Sequence, residues 1–144
     1  MRLVNSGIIA LLAGAAAQVL KVLMELVLHR RWRPELAWAN GGMPSSHTAT
    51  VTALALDVVA REGWQAPVSS LVLVFGAYVI SEATGLRQEM GHQAAVLNEL
   101  MDRLVHGETV DRKRLRELVG HTWTEVAGGL VAGTLFVVTW WRLG

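Results

Sequence analysis

Apolar and polar positions fall along this chain in long blocks rather than in strict alternation. The first block, about Leu3 to Leu28, holds the apolar run Gly7–Leu20, admits Lys21 and Glu25, and ends in the basic cluster His29-Arg30-Arg31-Trp32-Arg33-Pro34. The second starts near Pro44 and reaches about Ala60, with Asp57 close to its far end. After the turn Arg61-Glu62-Gly63-Trp64-Gln65-Ala66-Pro67, the third, Val68 to about Thr84, is apolar apart from Ser69, Ser70, Ser81 and Glu82. The fourth, about Val126 to Trp141, is rich in Gly, Val and Leu. Blocks without period-two alternation predict helices. Several lie near the lower end of the ~17–25 residues that cross a bilayer, so some are expected to span obliquely or to be sheltered by neighbours.

The connection from Gly85 to Thr122 is polar but patterned. Leu97, Leu100, Met101, Leu104 and Val105 recur at three- and four-residue spacing among Asn98, Glu99, Asp102 and Arg103. That predicts an amphipathic helix packed on the bundle or lying in the interface, ended by Gly107, with a second short helix over Asp111–Val119. The fold expected is all-α: an integral membrane helical bundle, one domain over 1–144. It has about four membrane-embedded helices and an amphipathic helical connection between the third and fourth. Gly14-Ala15-Ala16-Ala17, Gly128, Gly129 and Gly133 are read as helix-packing positions.

Composition sharpens this. Hydrophobic residues make up 52% of the 144, with 14 glycines besides, which alone does not establish membrane residence. The six tryptophans do more: Trp32, Trp38, Trp64, Trp123, Trp140 and Trp141 all flank apolar blocks, as in aromatic belts at two interfaces. A net charge of +1 argues against nucleic-acid binding, and the lack of cysteine excludes disulfides and thiolate metal sites. No cleavable leader is expected, since one Arg2 precedes the first block and no small-residue cleavage site follows.

With four spans, the connections 29–43 and 85–122 share a face. That face carries Arg30, Arg31, Arg33, Arg87, Arg103, Arg112, Lys113, Arg114 and Arg116, against Arg2, Arg61 and Arg142 on the other. The bias of nine to three predicts that the first face is cytoplasmic and both termini outside. Lys21, His47, Glu82, Arg87, His121 and Glu125 converge on the same side, and ionisable residues at membrane depth point to function.

Their chemistry centres on Gly41-Gly42-Met43-Pro44-Ser45-Ser46-His47-Thr48, a Gly-rich turn entering a helix. Glycines permit a sharp turn and close approach to a ligand, Pro44 presets a first helical turn, and helix starts attract phosphate. An ordinary capped helix with a surface histidine fits the same residues. His121 and Glu125, four apart, share a helix face, so the carboxylate can orient the imidazole. Thr122-x-x-Glu125 equally spells a capping box. Two imidazoles can divide phosphoryl transfer between nucleophile and acid, with Arg87 and Lys21 neutralising phosphoryl oxygens. Lys21 could instead pair with Glu25, also four away. His29 is read as contacting anionic lipid, His92 and His106 as solvated. No metal site and no cofactor are expected.

Gly-Gly-Met-Pro-Ser-Ser-His-Thr-Ala (41–49), Glu-Ala-Thr-Gly-Leu-Arg (82–87), Gln-Ala-Ala-Val-Leu-Asn (93–98) and Leu-Val-Gly-His-Thr-Trp-Thr-Glu-Val (118–126) resemble the small divergent branch of the type 2 phosphatidic acid phosphatase/vanadium haloperoxidase superfamily. The resemblance runs from Gln18 to about Gly133. It implies hydrolysis of a lipid phosphate or diphosphate through a phosphohistidine. His121 would be the nucleophile, His47 the general acid and Glu125 the orienting carboxylate. Lys21, Arg87, Gly42, Pro44, Ser45, Ser46 and Glu82 would bind substrate. The chain departs from the superfamily pattern in several places. Ser46 replaces a glycine, Glu125 an aspartate, Glu82 a more frequent aspartate, and Leu115 stands where an arginine is usual. Arg33-Pro34 follows Lys21 at a longer spacing than usual.

The expected activity is therefore a lipid phosphate or polyprenyl diphosphate phosphatase in the bacterial plasma membrane. Non-hydrolytic binding or transport of a phospholipid or polyprenyl-phosphate head group is the alternative, and vanadate-dependent oxidation ranks last. Membrane lipids are the expected surroundings, and a homodimer would complete the six spans of larger superfamily members.

Overall fold

The computed structural model describes residues 4–38, 42–104 and 122–143, with backbone alone at 85–90 and 102–104. Its elements are α1 (Ser6–His29), a short 3-10 helix (Pro34–Ala37), α2 (Ser46–Glu62), α3 (Pro67–Leu104) and α4 (Trp123–Leu143). Local chemistry sets their ends. Asn5 Oδ1 accepts from the Gly7 N–H at 2.7 Å and caps α1, which stops where Arg30 turns left-handed at φ 54°. Gly63 ends α2 at φ 89°, and its carbonyl accepts from Ser69 Oγ at 2.7 Å, closing the turn into α3. Such a φ is accessible to glycine without steric cost.

Helix α2 is the hub. It packs against α1, α3 and α4, while α1 and α4 also meet and the 3-10 helix lies on α1. Among the described residues, three segments can cross a membrane by length and composition: Ser6–His29, Pro67–Thr84 and Trp123–Leu143. The 17 residues of α2 fall outside that set. A helix surrounded by helices need not present a lipid-compatible surface, so α2 can carry Ser46, Thr48, Thr50, Thr52 and Asp57. The helical membrane bundle is as expected; what the apolar pattern did not specify is that its second helix is the centre.

Helix α3 departs from expectation. It does not break at Gly85 but runs for 38 residues in all, roughly 57 Å at the α-helical rise and nearly twice a hydrocarbon core. No proline interrupts 68–104, and a helical glycine costs only about 1 kcal/mol against alanine, so nothing stops the propagating ladder. The amphipathic pattern is thus the outer half of α3 rather than a separate helix. Its buried side also differs: Gly91, Ala94 and Asn98 are buried, while Leu97, Leu100 and Met101 are 40–49% exposed. The short helix expected over Asp111–Val119 lies outside the described residues.

Two zones make up the interior. At the end holding the start of α1 and the last turns of α2 and α4, Ile9, Ala13, Ala53 and Val137 form an apolar core. Val4, Leu56, Phe136 and Trp140 pack onto it. Here Asp57, fully buried, accepts from Arg61 Nε at 2.7 Å, from Trp141 Nε1 at 2.9 Å and from the Ser6 hydroxyl, tying three helices together. Toward the other end the helices close on small residues. A Cβ on Gly129 would fall 2.6 Å from Ser45 O and Thr48 Cβ, one on Gly133 2.6 Å from Ala49 O, and one on Gly14 would strike Thr50 Oγ1. Lipid tails are as apolar as leucine, so such close packing, rather than apolar burial, holds membrane helices together.

The tryptophans divide three and three between the bundle's ends: Trp32, Trp38 and Trp123 at one, Trp64, Trp140 and Trp141 at the other. The belt pattern holds with one amendment. Trp140 also packs on the core, its ring stacked on Phe136 at 6.2 Å, because α4 turns that side inward.

Candidate functional site

The small-residue end gathers the C-terminal half of α1, the entry to α2 and the first turn of α4. The stretch Gly42–Ser45 crosses between them. Helix α2 starts at Ser46, two residues later than Pro44 suggested, because Ser45 rather than Pro44 caps it. Ser45 Oγ accepts from the Thr48 N–H at 3.3 Å and from Thr48 Oγ1 at 3.1 Å. Both side chains are fully buried. Pro44 therefore sets the entry into the cap rather than the first helical turn.

Glu125 fixes this stretch to α4. Its Oε1 accepts from the Gly42 N–H at 3.1 Å, its Oε2 from the Thr122 N–H at 3.1 Å, and its carbonyl from the Ser45 N–H at 3.0 Å. The Glu125 N–H in turn donates to Thr122 Oγ1 at 3.3 Å, completing a reciprocal capping box. The capping alternative raised by the sequence is thus present, and the same carboxylate also clamps a loop 83 positions away in sequence. Each carboxylate oxygen accepts more than one hydrogen bond, so this use leaves acceptor capacity over. His121 lies outside the described residues, as does Gly41.

Below the loop lies Lys21, 4% exposed on α1. Its stem fills the space beside Gly42: a Cβ there would sit 3.3 Å from Lys21 Cδ. Gly42 has φ 89°, so both its conformation and its contact favour the absence of a side chain. Among the described residues, Glu125 is a charge that acts on the Lys21 ammonium. A buried ammonium needs such compensation. Glu25, the alternative partner, instead sits 3.1 Å from His29 Nδ1 and 3.6 Å from an Arg33 guanidinium nitrogen.

The remaining candidates are placed as follows. Ser46 opens α2, its carbonyl accepting from Thr50 Oγ1 at 2.9 Å. His47 follows it, exposed. First-turn N–H groups have no acceptor inside their own helix, so this is where an oxyanion can be bound. Glu82 is half-buried on α3 and makes no hydrogen bond or ion pair with the described residues. Arg87 lies in α3, five residues further, with its side chain outside the described part. Lys21, Gly42, Pro44, Ser45, Ser46, His47 and Glu125 are therefore brought together at one end of the bundle, and Glu82 is not joined to them. Arg33 is turned away, paired with Glu35 at 3.1 Å on the surface.

Sequence reasoning gave three residues at this end no part of their own in the site. Thr48 locks the cap, and the Ser45-x-x-Thr48 spacing could have disclosed it. Gly128 gives the loop a floor, since a Cβ there would lie 3.1 Å from Met43 Cε and 3.6 Å from Pro44 Cα. Gln18, one helical turn deeper than Lys21, has a buried Oε1 without a hydrogen-bond partner among the described residues. Nothing local in the sequence marks it. In chemical terms the ensemble is a backbone turn clamped by a carboxylate above a buried ammonium, beside a helix start carrying an imidazole.

The sequence model of the Divergent PAP2 family matches residues 5–136. The uncharacterized membrane protein YuiD of Bacillus subtilis (strain 168) is 35% identical over 133 residues, covering 85% of this chain and 84% of its own. No solved structure matches the chain.

Proposed function

The chain belongs to the divergent PAP2 family, and from that premise we propose that it is a membrane phosphatase acting on a lipid phosphate or diphosphate. The observation that supports this reading is the clamped Gly42–Ser45 turn, held by Glu125 over buried Lys21 and running directly into His47. In the proposed reaction a His121 ring nitrogen attacks the terminal phosphorus and the bond from that phosphorus to the leaving oxygen breaks, the oxygen departing with the lipid alcohol of a monophosphate or the lipid monophosphate of a diphosphate. His47 gives its proton to that leaving oxygen. Water then attacks the phosphohistidine, yielding its proton to His47, and inorganic phosphate leaves. Lys21, Arg87 and the N–H groups at the start of α2 would hold the phosphoryl oxygens, where preorganised donors act most strongly. Glu125 would serve by fixing the turn as well as by orienting His121.

Leu115, at a position where the superfamily usually has arginine, favours one competing reading: a protein that grips a phosphorylated lipid head group without hydrolysing it. Phosphate release from phosphatidic acid and polyprenyl diphosphate by purified protein, compared with His121→Ala and His47→Ala, separates the two. Hydrolysis lost in both variants is the expected result. Release that survives both substitutions refutes the two-histidine mechanism, and vanadate-sensitive lipid binding without release from either substrate selects the binding protein.

A further inference from the structure

The segment that leaves α1 supports a conclusion independent of catalysis. Val27 and Leu28, in the last turn of α1, are 74% and 65% exposed, so lipid-facing side chains run to within two residues of Arg30. At 1.5 Å per residue, Arg30 and Arg31 stand about 3–5 Å beyond Leu28, inside the roughly 5–7 Å interfacial layer that borders each side of the hydrocarbon. The left-handed Arg30 ends the helix there, and the chain turns aside into Pro34–Ala37, which packs back on α1 through half-buried Leu36 and Ala37. The segment is thus held at head-group depth instead of projecting into water. Its two indoles, Trp32 and Trp38, are 65% and 84% exposed, as anchors in that layer are.

Charge within the segment is unevenly used. His29 and Arg33 face Glu25, and Arg33 Nε also donates to Glu35 Oε1 at 3.1 Å. Glu35 itself is held below the usual carboxylate range, first by its own backbone N–H and then by Arg33, so this pairing persists at neutral pH. Arg30 and Arg31 make no ion pair or hydrogen bond with the described residues.

We infer that Arg30 and Arg31, framed by Trp32 and Trp38, form a docking surface for anionic phospholipid, the guanidinium groups taking the charged head groups and the indoles seating in the interface. Guanidinium matches phosphate oxygens in bidentate geometry, and an arginine near an anionic bilayer surface contributes about 1 kcal/mol, or roughly fivefold in lipid preference.

The test uses the full chain in nanodiscs of equal phosphatidylglycerol and phosphatidylcholine, with retained lipids counted by native mass spectrometry. Wild-type protein is expected to retain phosphatidylglycerol preferentially, and R31Q to lose about fivefold of that preference. R30Q/R31Q should approach equal retention. E35Q, which removes the charge of one of the two carboxylates facing Arg33 and leaves Glu25, should raise the preference. Melting temperatures identify any misfolded variant, and R31Q and E35Q carry the test if the double variant fails to fold. Equal retention of both lipids by wild-type protein overturns the inference. So does a preference that R31Q and E35Q leave unchanged, which would locate it on other basic residues.

Discussion

Glu125 occupies two positions at once in this molecule, capping its own helix and gripping a turn that enters another. Only the first is written in local sequence, as Thr122-x-x-Glu125. The second depends on the Gly42 N–H arriving from 83 residues away, which no spacing rule discloses. Removing the carboxylate should strand the part-buried Gly42 N–H, at about 1–3 kcal/mol for a buried group left without an acceptor, while the exposed Thr122 N–H can turn to water. Glu125→Gln keeps an oxygen for Gly42, but its amide nitrogen cannot accept from Thr122. Thermal unfolding in detergent should therefore rank Glu125→Ala below Glu125→Gln and both below the parent. Three coincident curves would mean that the clamp contributes nothing. Lys21 was similarly half-legible. Its type and depth marked it as a functional position, whereas the choice between Glu25 and the α4 side rests on the fold, which commits Glu25 to His29 and Arg33.

At the scale of elements, the apolar blocks disclosed the helices and their order but not how they meet. Helix α2, the least obvious span, is the centre because its small and hydroxylated residues lie against glycines of α1 and α4. Read alone, Gly14, Gly129 and Gly133 said only that something packs closely; which helix arrives there required three dimensions. Helix α3 was cut short in sequence reasoning because polar composition past Thr84 was taken as a change of element. Helical propagation, though, needs only the absence of a breaker. The α2–α4 crossing gives a sharp contrast between two glycines. Gly129→Ala places a Cβ 2.6 Å from the Ser45 carbonyl and Thr48, so it should overpack the crossing by about 1–3 kcal/mol and displace the capped turn. Gly63→Ala meets open space and is strained only by its backbone, whose φ of 89° with ψ 156° is essentially confined to glycine, costing about 1–3 kcal/mol. Both should lower the melting temperature, but only Gly129→Ala should also weaken binding of a phosphorylated lipid. Equal binding by the two variants would uncouple the crossing from the site.

Over the whole molecule the two zones sort themselves along the bilayer normal. One end is closed by an apolar core and the Asp57 knot, while the other collects the buried ammonium, the clamped turn and the basic segment after α1. A helix of roughly 57 Å cannot be contained in a hydrocarbon layer of about 30 Å, so the outer half of α3 must emerge on the second side, beside Arg31. Single cysteines test this directly, because the chain has none of its own. Arg31→Cys and His92→Cys should react with an impermeant maleimide from the same face of the membrane, and Trp64→Cys only from the opposite face. Leu71→Cys, 68% exposed but within the apolar half of α3, should stay unlabelled from both sides, since its surroundings are lipid. The positive-inside expectation from the sequence is that the Arg31 face is cytoplasmic: Arg31→Cys and His92→Cys should then be protected in intact cells and labelled only after inverting the vesicles. Labelling of His92→Cys together with Trp64→Cys would mean that α3 does not cross where its apolar half ends. The site end would then no longer share one side of the membrane.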